Sequence, residues 1–132
     1  MRLSYRPVQN ALRLTLDVER GPAATQVDLP GYVDVGEGGR LVGVEVLGDG
    51  GLDLRLALAP WIDDPVARDY VAVDGDSAYV TLSVPEDTTG REEVRAARAT
   101  LAAELDASRR LVALAIPRRG AGYEISYPSG SQ

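Results

Sequence analysis

The carboxylates of this sequence are the side chains best suited to chemistry, and Glu45 is the first candidate. It lies in the apolar run LVGVEVL, where a carboxyl group could have a raised pKa and act as an acid or a base. The alternative is that Glu45 faces solvent or pairs with an arginine across a sheet. Both interpretations place it in the middle of a strand.

Acidic residues also cluster around Asp74 and Asp76 in the segment DGDS, with Asp49 and the pair Asp63-Asp64 nearby in the sequence. Carboxylate oxygens are the ligands that Ca²⁺ and Mg²⁺ prefer. However, no stretch has the spacing of a calcium-binding helix–loop–helix motif, and Asp and Gly also dominate ordinary turns. We therefore expect turns at these positions rather than a metal site.

Two arginine pairs, Arg109-Arg110 and Arg118-Arg119, flank one predicted hairpin. They could bind a phosphate or a carboxylate through paired hydrogen bonds. The alternative is that their charges solvate the hairpin ends and discourage stray strand pairing. We predict no catalytic residue, no metal and no cofactor. The candidate site residues are Glu45, Asp34, Asp74, Asp76, Arg109 and Arg110.

The composition excludes several kinds of chemistry. The chain contains no Cys, no His and no Lys, since all 14 basic residues are arginine. It therefore has no thiolate nucleophile, no imidazole base and no amine for Schiff-base formation. The glycines of GEGG and GDGG are not followed by the GK[ST] of a phosphate-binding loop.

The charge is unevenly distributed. The net charge of −6 argues against a general nucleic-acid-binding protein, which needs a basic surface. Residues 1–90 hold 15 acidic residues and 7 arginines, whereas residues 91–132 hold 5 acidic residues and 7 arginines. This asymmetry predicts surfaces that attract each other, either within one chain or between copies.

Alternation of apolar residues predicts most of the strands. Leu12, Leu14, Leu16 and Val18 occupy every second position, which is typical of a half-buried strand. Further extended segments are expected at 3–5, 27–35, 41–47, 69–73, 78–84 and 123–127. In the connector, alternating leucines favour a strand, whereas a short helix would gather Leu54, Leu58 and Trp61.

The order of these segments repeats along the chain. DSAYVTL aligns with NALRLTL at an offset of 66 residues, and Arg110-Leu111-Val112 aligns with Arg40-Leu41-Val42 at an offset of 70. The repeat requires a strand just before Asp106, but REEVRAARATLAAELD has helical propensity. We expect a short helix or turn near residues 90–97 and then a strand, so that any short helix lies within residues 90–104. The alternative is a continuous helix over 91–105.

The first half resembles a family of small bacterial proteins known only as a domain of unknown function. Members read Asp-Ala-Leu-Tyr-Ile and then Asp-x-Asp-x-x-Gly-Arg-hydrophobic-Val-Gly-Ile-Glu, where this chain has residues 10–14 and 34–45, so that Asp34 opens the second motif. The chain departs from the pattern at Asn10, Arg13 and Gly36. The resemblance implies a small β-rich module, and some such families look like partners of toxin-like proteins.

We therefore predict a mostly β to α+β fold. Two pseudo-repeated antiparallel β-meander units, 1–62 with the connector and 63–132, share one core in one compact domain. The expected function is a non-catalytic protein-interaction or oligomerisation module. The alternatives are a carboxylate-based metal-binding protein or hydrolase and an antitoxin-like partner of a neighbouring protein. Expected partners are a second copy or another protein, with no nucleic acid and no membrane, in the cytoplasm because MRLSYRPVQN lacks a signal-peptide core.

Overall fold

Strands dominate the computed structural model, which describes residues 1–18, 21–48, 52–83 and 93–126. The first half forms β1 (Arg2–Arg6), β2 (Ala11–Thr15), β3 (Thr25–Val35) and β4 (Leu41–Leu47). The second half forms β5 (Val71–Asp74), β6 (Ser77–Thr81), β7 (Arg95–Leu105) and β8 (Leu111–Pro117). A separate ribbon pairs β9 (Arg119–Gly120) with β10 (Tyr123–Glu124). Helices α1 (Leu54–Ala57) and α2 (Ala59–Ile62) form the connector, and 3-10 turns lie at Glu37–Gly39 and Ala67–Asp69.

One antiparallel sheet contains the first eight strands in the order β1-β2-β8-β7-β3-β4-β6-β5. The predicted mostly β, antiparallel fold is confirmed. The halves do not form two separate meanders, because β2 pairs with β8 of the other half and β4 pairs with β6. Each half is therefore completed by strands of the other. The sheet curls so that the edge with β1 approaches the edge with β6 and β5. A cavity of about 250 Å³ lies between the two edges and is lined by Leu3 of β1 and Thr81 of β6.

Strands β3 and β7 form the central ribbon of the sheet. All 11 residues of β3 pair with all 11 residues of β7, from Thr25 opposite Leu105 to Val35 opposite Arg95. Pro30 lies opposite Thr100 at the middle of this ribbon. Strand β4 joins only the C-terminal half of β3, and β8 joins only the C-terminal half of β7.

The strand register recurs 70 residues along the chain. The pair Tyr32–Glu45 in β3 and β4 has its counterpart in Ala102–Ala115 of β7 and β8. A register shift follows Asp34 in the first pair of strands and Glu104 in the second, at equivalent positions. The two hairpin loops also close with equivalent backbone hydrogen bonds, from Gly36 N to Arg40 O and from Asp106 N to Arg110 O. Pro30 and Thr100, themselves 70 residues apart, therefore mark the centre of a pseudo-two-fold arrangement.

The helix expected near residues 90–104 is wrong where the structure describes this segment. Residues 95–105 form strand β7, and the continuous helix over 91–105 is excluded for the same reason. Residues 90–92 lie outside the described ranges. Helical propensity is a weak preference that tertiary pairing overrides, and β7 has a partner strand along its whole length. The strand required by the repeat is the correct prediction.

The core is made of branched aliphatic side chains from every second position of the strands. Leu12, Leu14 and Leu16 are buried as predicted, but Val18 is exposed because β2 ends at Thr15. In β4, Val44 and Val46 face the core while Glu45 faces outward. The register shift beside Val35 lets Leu41 face inward as well.

The connector folds as helix rather than strand, and its apolar residues pack into the core. Asp53 caps α1 by accepting hydrogen bonds from the backbone N–H groups of Arg55 and Leu56. Leu54, Leu58 and Trp61 are buried, as the helical alternative required. The indole Nε1 of Trp61 donates a 2.9 Å hydrogen bond to the carbonyl of Leu111, which fixes the connector to β8. In the described ranges, no helix has the length and apolar character needed to cross a membrane.

The last edge strand was expected over residues 123–127, of which residue 127 lies outside the described ranges. Among its described residues, Tyr123 and Glu124 are in strand conformation, and they pair with β9 rather than with the main sheet. Ile125 is nevertheless fully buried in the core. The segment then reaches the β3–β4 loop, where Ser126 Oγ donates to Gly38 O at 2.8 Å. This contact fixes the end of the described chain to the first half.

Candidate binding groove

The outward side chains of the sheet form two faces at equivalent positions of the pseudo-two-fold arrangement. The Tyr79 face follows one register row across β6, β4, β3 and β7, namely Tyr79, Glu45, Tyr32 and Arg98. The Arg13 face follows the equivalent row across β2, β8, β7 and β3, namely Arg13, Ala115, Ala102 and Asp28. The neighbours of these residues along each strand belong largely to the core, so alternation directs the rows outward.

A hydrogen bond crosses β4 on the Tyr79 face. The hydroxyl of Tyr79 on β6 donates to Oδ2 of Asp34 on β3 at 2.6 Å. Gly43 lies between them, in register with Thr81 on one side and with Asp34 on the other. Because a Cβ atom at Gly43 would overlap the phenol of Tyr79, the absence of a side chain allows the ring to lie flat over β4.

The environment of Tyr79 favours its neutral form. Burial is the main cause that raises the pKa of Tyr79, and the hydrogen bond to Asp34 raises it further. The negative charges of Asp34 and Glu45 act in the same direction. Tyr79 therefore serves as a hydrogen-bond donor at neutral pH and is not poised to act as a phenolate.

On the Arg13 face, an ion pair replaces this hydrogen bond. Arg13 Nε donates to Glu104 Oε2 and Arg13 Nη2 donates to Glu104 Oε1, both at 3.0 Å. The two residues lie on β2 and β7, so the arginine must cross β8 between them. Ala113 and Ala115 on β8 are small enough to allow this crossing. Each charged side chain is only 21% exposed, and such charge-assisted paired bonds hold the two groups in a defined geometry.

An open groove of about 760 Å³ lies over the Arg13 face. Its floor is made of small or paired side chains from three strands, including Ala102, Ala115 and the Arg13–Glu104 pair. The turn between β1 and β2 contributes Pro7, Val8 and Gln9 to its lining, and Gln26 contributes from β3. The groove therefore offers a largely apolar floor with polar groups at its margins.

Comparison of the two faces shows which side chains leave space on the Arg13 face. Ala102 stands where the Tyr79 face has Tyr32, and Ala115 stands where it has Glu45. The larger side chains fill the space on the Tyr79 face that the alanines leave open on the Arg13 face. The small side chains at these positions and the β1–β2 turn beside them therefore shape the groove together.

Two of the candidate residues from the sequence, Glu45 and Asp34, lie close together on the Tyr79 face. Glu45 is half-buried between Tyr32 and Tyr79 in the register, and it makes no ion pair with any described residue. Asp34 accepts the hydrogen bond from Tyr79. These two carboxylates lie outside the groove.

The remaining acidic candidates lie at the β5–β6 turn, where Asp74 ends β5 and Asp76 belongs to the turn itself. Strands β5 and β6 are joined by a two-residue turn in which Gly75 has a positive φ of 60°. The carbonyl of Asp74 accepts from Ser77 Oγ at 3.1 Å, and the carbonyl of Asp76 accepts from Gly48 N at 2.6 Å. Asp64 likewise accepts hydrogen bonds from the backbone N–H groups of Ala67 and Val66, which lower its pKa.

The arginine candidates Arg109 and Arg110 belong to the β7–β8 loop. Arg109 has a positive φ of 62°, at the position equivalent to Gly39. The backbone N–H of Arg110 donates to Asp106 Oδ1 at 3.0 Å, so the acid orders the turn. Arg118 is directed elsewhere: its guanidinium stacks 5.4 Å from the ring centroid of Tyr5, and its Nε donates to the carbonyl of Ile125. The two arginine pairs do not converge on one anion site.

The residues that shape the groove are not among the candidates taken from the sequence. Arg13 and Glu104 are 91 residues apart, and each is one charge in an alternating strand. Only knowledge of which strands are neighbours would have placed the two side chains together. Across the described ranges, no three His, Cys, Asp or Glu side chains come together as potential metal ligands.

Comparison with known proteins gives no relative. No family model, no curated protein and no solved structure matches this chain. The function must therefore be inferred from the geometry of the two faces.

Proposed function

We propose that this protein is a non-catalytic protein-interaction module that binds its partner in the groove of the Arg13 face. The observation that carries the proposal is the groove of about 760 Å³ with its floor of alanines and one closed ion pair. Such a floor can take apolar side chains of a bound segment, while Gln9 and Gln26 can accept or donate hydrogen bonds at its margins. We further propose that the protein acts in the cytoplasm without a nucleic-acid partner.

The electrostatics of the described residues support a binding role rather than a catalytic one. The pKa values of Tyr79 and Tyr123 are raised and that of Asp64 is lowered, so each shift moves the pKa further from pH 7. General acid–base catalysis works best with a group whose pKa lies near the operating pH. The Arg13–Glu104 pair satisfies both charges, so it serves as a rigid part of the floor.

The recurring register also supports the proposal that the two halves arose by duplication. After a duplication, one face could keep the bulky residues Tyr32 and Glu45 while the other acquired Ala102 and Ala115. The change opens space without altering the backbone, which is a simple route from a closed surface to a binding surface. The net charge of −6 would favour the solubility of such a module.

A selection from a displayed peptide library tests this function. The wild-type protein serves as bait, and the variant Ala102→Tyr is used for counter-selection because Tyr fills the equivalent position on the other face. Tyr32→Ala, on the Tyr79 face, is the matched control. We expect enriched peptides to bind the wild type and Tyr32→Ala equally and to bind Ala102→Tyr at least about tenfold more weakly. Failure to enrich any peptide, or equal binding to all three proteins, would contradict the proposal.

A further inference from the structure

Val8 is the most exposed large apolar residue of the described chain, with 95% of its surface accessible. It lies in the turn between β1 and β2, directly beside the groove that it helps to line. Exposed single apolar residues are common, but here an apolar projection and an apolar depression lie next to each other on one face. This arrangement is complementary to itself.

The equivalent turn of the second half lacks such a projection. Arg6 pairs with Ala11, which leaves four residues in the β1–β2 turn. Asp74 pairs with Ser77, which leaves only Gly75 and Asp76 in the β5–β6 turn. The longer turn that carries Val8 thus occurs beside the open groove, and the shorter polar turn occurs beside the filled Tyr79 face.

Two side chains of opposite charge lie at or beside the groove and form no ion pair with any described residue. The guanidinium of Arg6, beside Val8, forms no ion pair with any described residue. Asp28 lies just beyond the groove lining, two residues from Gln26 and opposite Ala102 in the register. Its carboxylate accepts only a 3.4 Å hydrogen bond from the Gln26 amide within the described ranges. The opposite charges of Arg6 and Asp28 would attract each other if a second copy, turned around a two-fold axis, brought its Arg6 towards Asp28.

We propose that two copies of this chain associate about a two-fold axis, with the Val8 turn of each copy seated in the groove of the other. An isologous interface requires that one patch be complementary to itself, and the projection, the groove and the two charges together meet that requirement. The inference rests on the proposed function, because it names a second copy as the partner of the groove. A standard interface takes about 800 Å² from each partner, roughly a tenth of the 7608 Å² accessible surface of this chain.

Sedimentation velocity over a concentration series tests the association of the wild-type chain. We expect a species of twice the 14.1 kDa chain mass that dissociates on dilution. Val8→Ser removes the projection at a position that contributes nothing to the core, and Ala102→Tyr fills the groove. Each should raise the dimer dissociation constant at least about tenfold while leaving the far-UV circular dichroism unchanged. Val66→Ser is the matched control, since Val66 is 52% exposed just before the 3-10 turn at Ala67–Asp69, and it should have no effect on the dimer.

A charge exchange tests the orientation of the two copies. Arg6→Glu and Asp28→Arg should each weaken the dimer about fivefold at low salt, because each brings like charges together. The double variant restores opposite charges and should regain most of the affinity of the wild type. A merely additive loss in the double variant would overturn the two-fold arrangement.

Two results overturn the inference as a whole. One is a wild type that sediments as a monomer up to about 0.3 mM, and the other is a dimer that Val8→Ser and Ala102→Tyr leave unchanged. Either result is compatible with the groove binding a different protein, which the peptide selection measures separately. Loss of both self-association and peptide binding would instead remove the proposed function.

Discussion

Tyr79 and Asp34 are joined by a 2.6 Å hydrogen bond across strand β4, and Arg13 and Glu104 are joined at the equivalent positions across β8. In each case a side chain on the first strand of the row, β6 or β2, reaches over the next strand at a small residue, Gly43 or Ala113. The same backbone arrangement therefore supports a hydrogen bond from a neutral phenol to a carboxylate on the Tyr79 face and a salt bridge on the Arg13 face. This equivalence allows each face to serve as the control for the other.

The hydrogen bond from Tyr79 should contribute to stability at neutral pH. Tyr79→Phe removes the donor and leaves the Asp34 carboxylate without it, so we expect a loss of about 1.5 kcal/mol in the free energy of unfolding. Urea denaturation followed by circular dichroism at pH 7 measures this loss. A change below about 0.3 kcal/mol would show that the bond contributes nothing net.

The raised pKa of Tyr79 predicts how stability depends on alkaline pH. The folded state holds the phenol proton more tightly than the unfolded state, whose tyrosines titrate near 10. The stabilisation is therefore present below pH 10 and is lost as the pH rises above it. We expect the unfolding free energy of the wild type to fall more steeply between about pH 10 and 11.5 than that of Tyr79→Phe. Parallel profiles for the two proteins would contradict this prediction.

Adding a methyl group at Gly43 should destabilise the protein more than removing the methyl group of Ala113, the equivalent residue of the second half. A Cβ at Gly43 overlaps the Tyr79 phenol and approaches the carbonyl of Val80, so Gly43→Ala should cost about 2 kcal/mol. Ala113→Gly removes a methyl group at the equivalent position and should cost about 1 kcal/mol or less. Thermal unfolding of both variants provides the comparison, and an equal cost would contradict the proposed close packing.

The Arg13–Glu104 pair should show a measurable coupling. A double-mutant cycle with Arg13→Met and Glu104→Gln removes the ion pair while largely keeping side-chain volume. We expect a coupling free energy of about 1–2 kcal/mol, because both groups are largely shielded from solvent and held by two bonds. A coupling near zero at low salt would indicate that the groove floor is not held together by this pair.

Trp61 should anchor the connector to the second half. Trp61→Phe removes the hydrogen bond to the carbonyl of Leu111 and leaves a small cavity, which should cost about 2 kcal/mol. Because Trp61 is the only tryptophan, circular dichroism rather than fluorescence must follow the unfolding of this variant. An unchanged stability would mean that the connector does not pack as described.

The individual strands could be predicted from the sequence because the alternation of apolar and polar residues is a local signal. Leu12, Leu14 and Leu16 predict β2 correctly, and the repeat predicts the strand at 95–105 against its helical propensity. The pairing of β2 with β8 was not readable, since a half-buried strand does not encode which neighbour it will take. The first half alone would suggest pairing within itself.

The groove was unreadable for the same reason. Arg13, Ala102 and Ala115 come from three strands and acquire meaning only when those strands are adjacent. Glu45 and Asp34 were selected as isolated acids, but the residue that explains their environment is Tyr79. Side chains that could be active by type were easy to identify, whereas the alanines that open a surface carried no signal of their own.

Strands β3 and β7 pair in the register that places Asp28 opposite Ala102, and both outward faces are built on this pairing. The chain contains no Cys, so Asp28→Cys with Ala102→Cys introduces the only two thiols. Directly opposed strand residues are close enough for a disulfide, whereas Asp28→Cys with Ala96→Cys places the thiols six residues apart in register. Mass spectrometry after mild oxidation of dilute protein should find an intrachain disulfide in the first variant and none in the second. No disulfide in the first variant, or equal formation in both, would contradict the interlocked arrangement of the two halves.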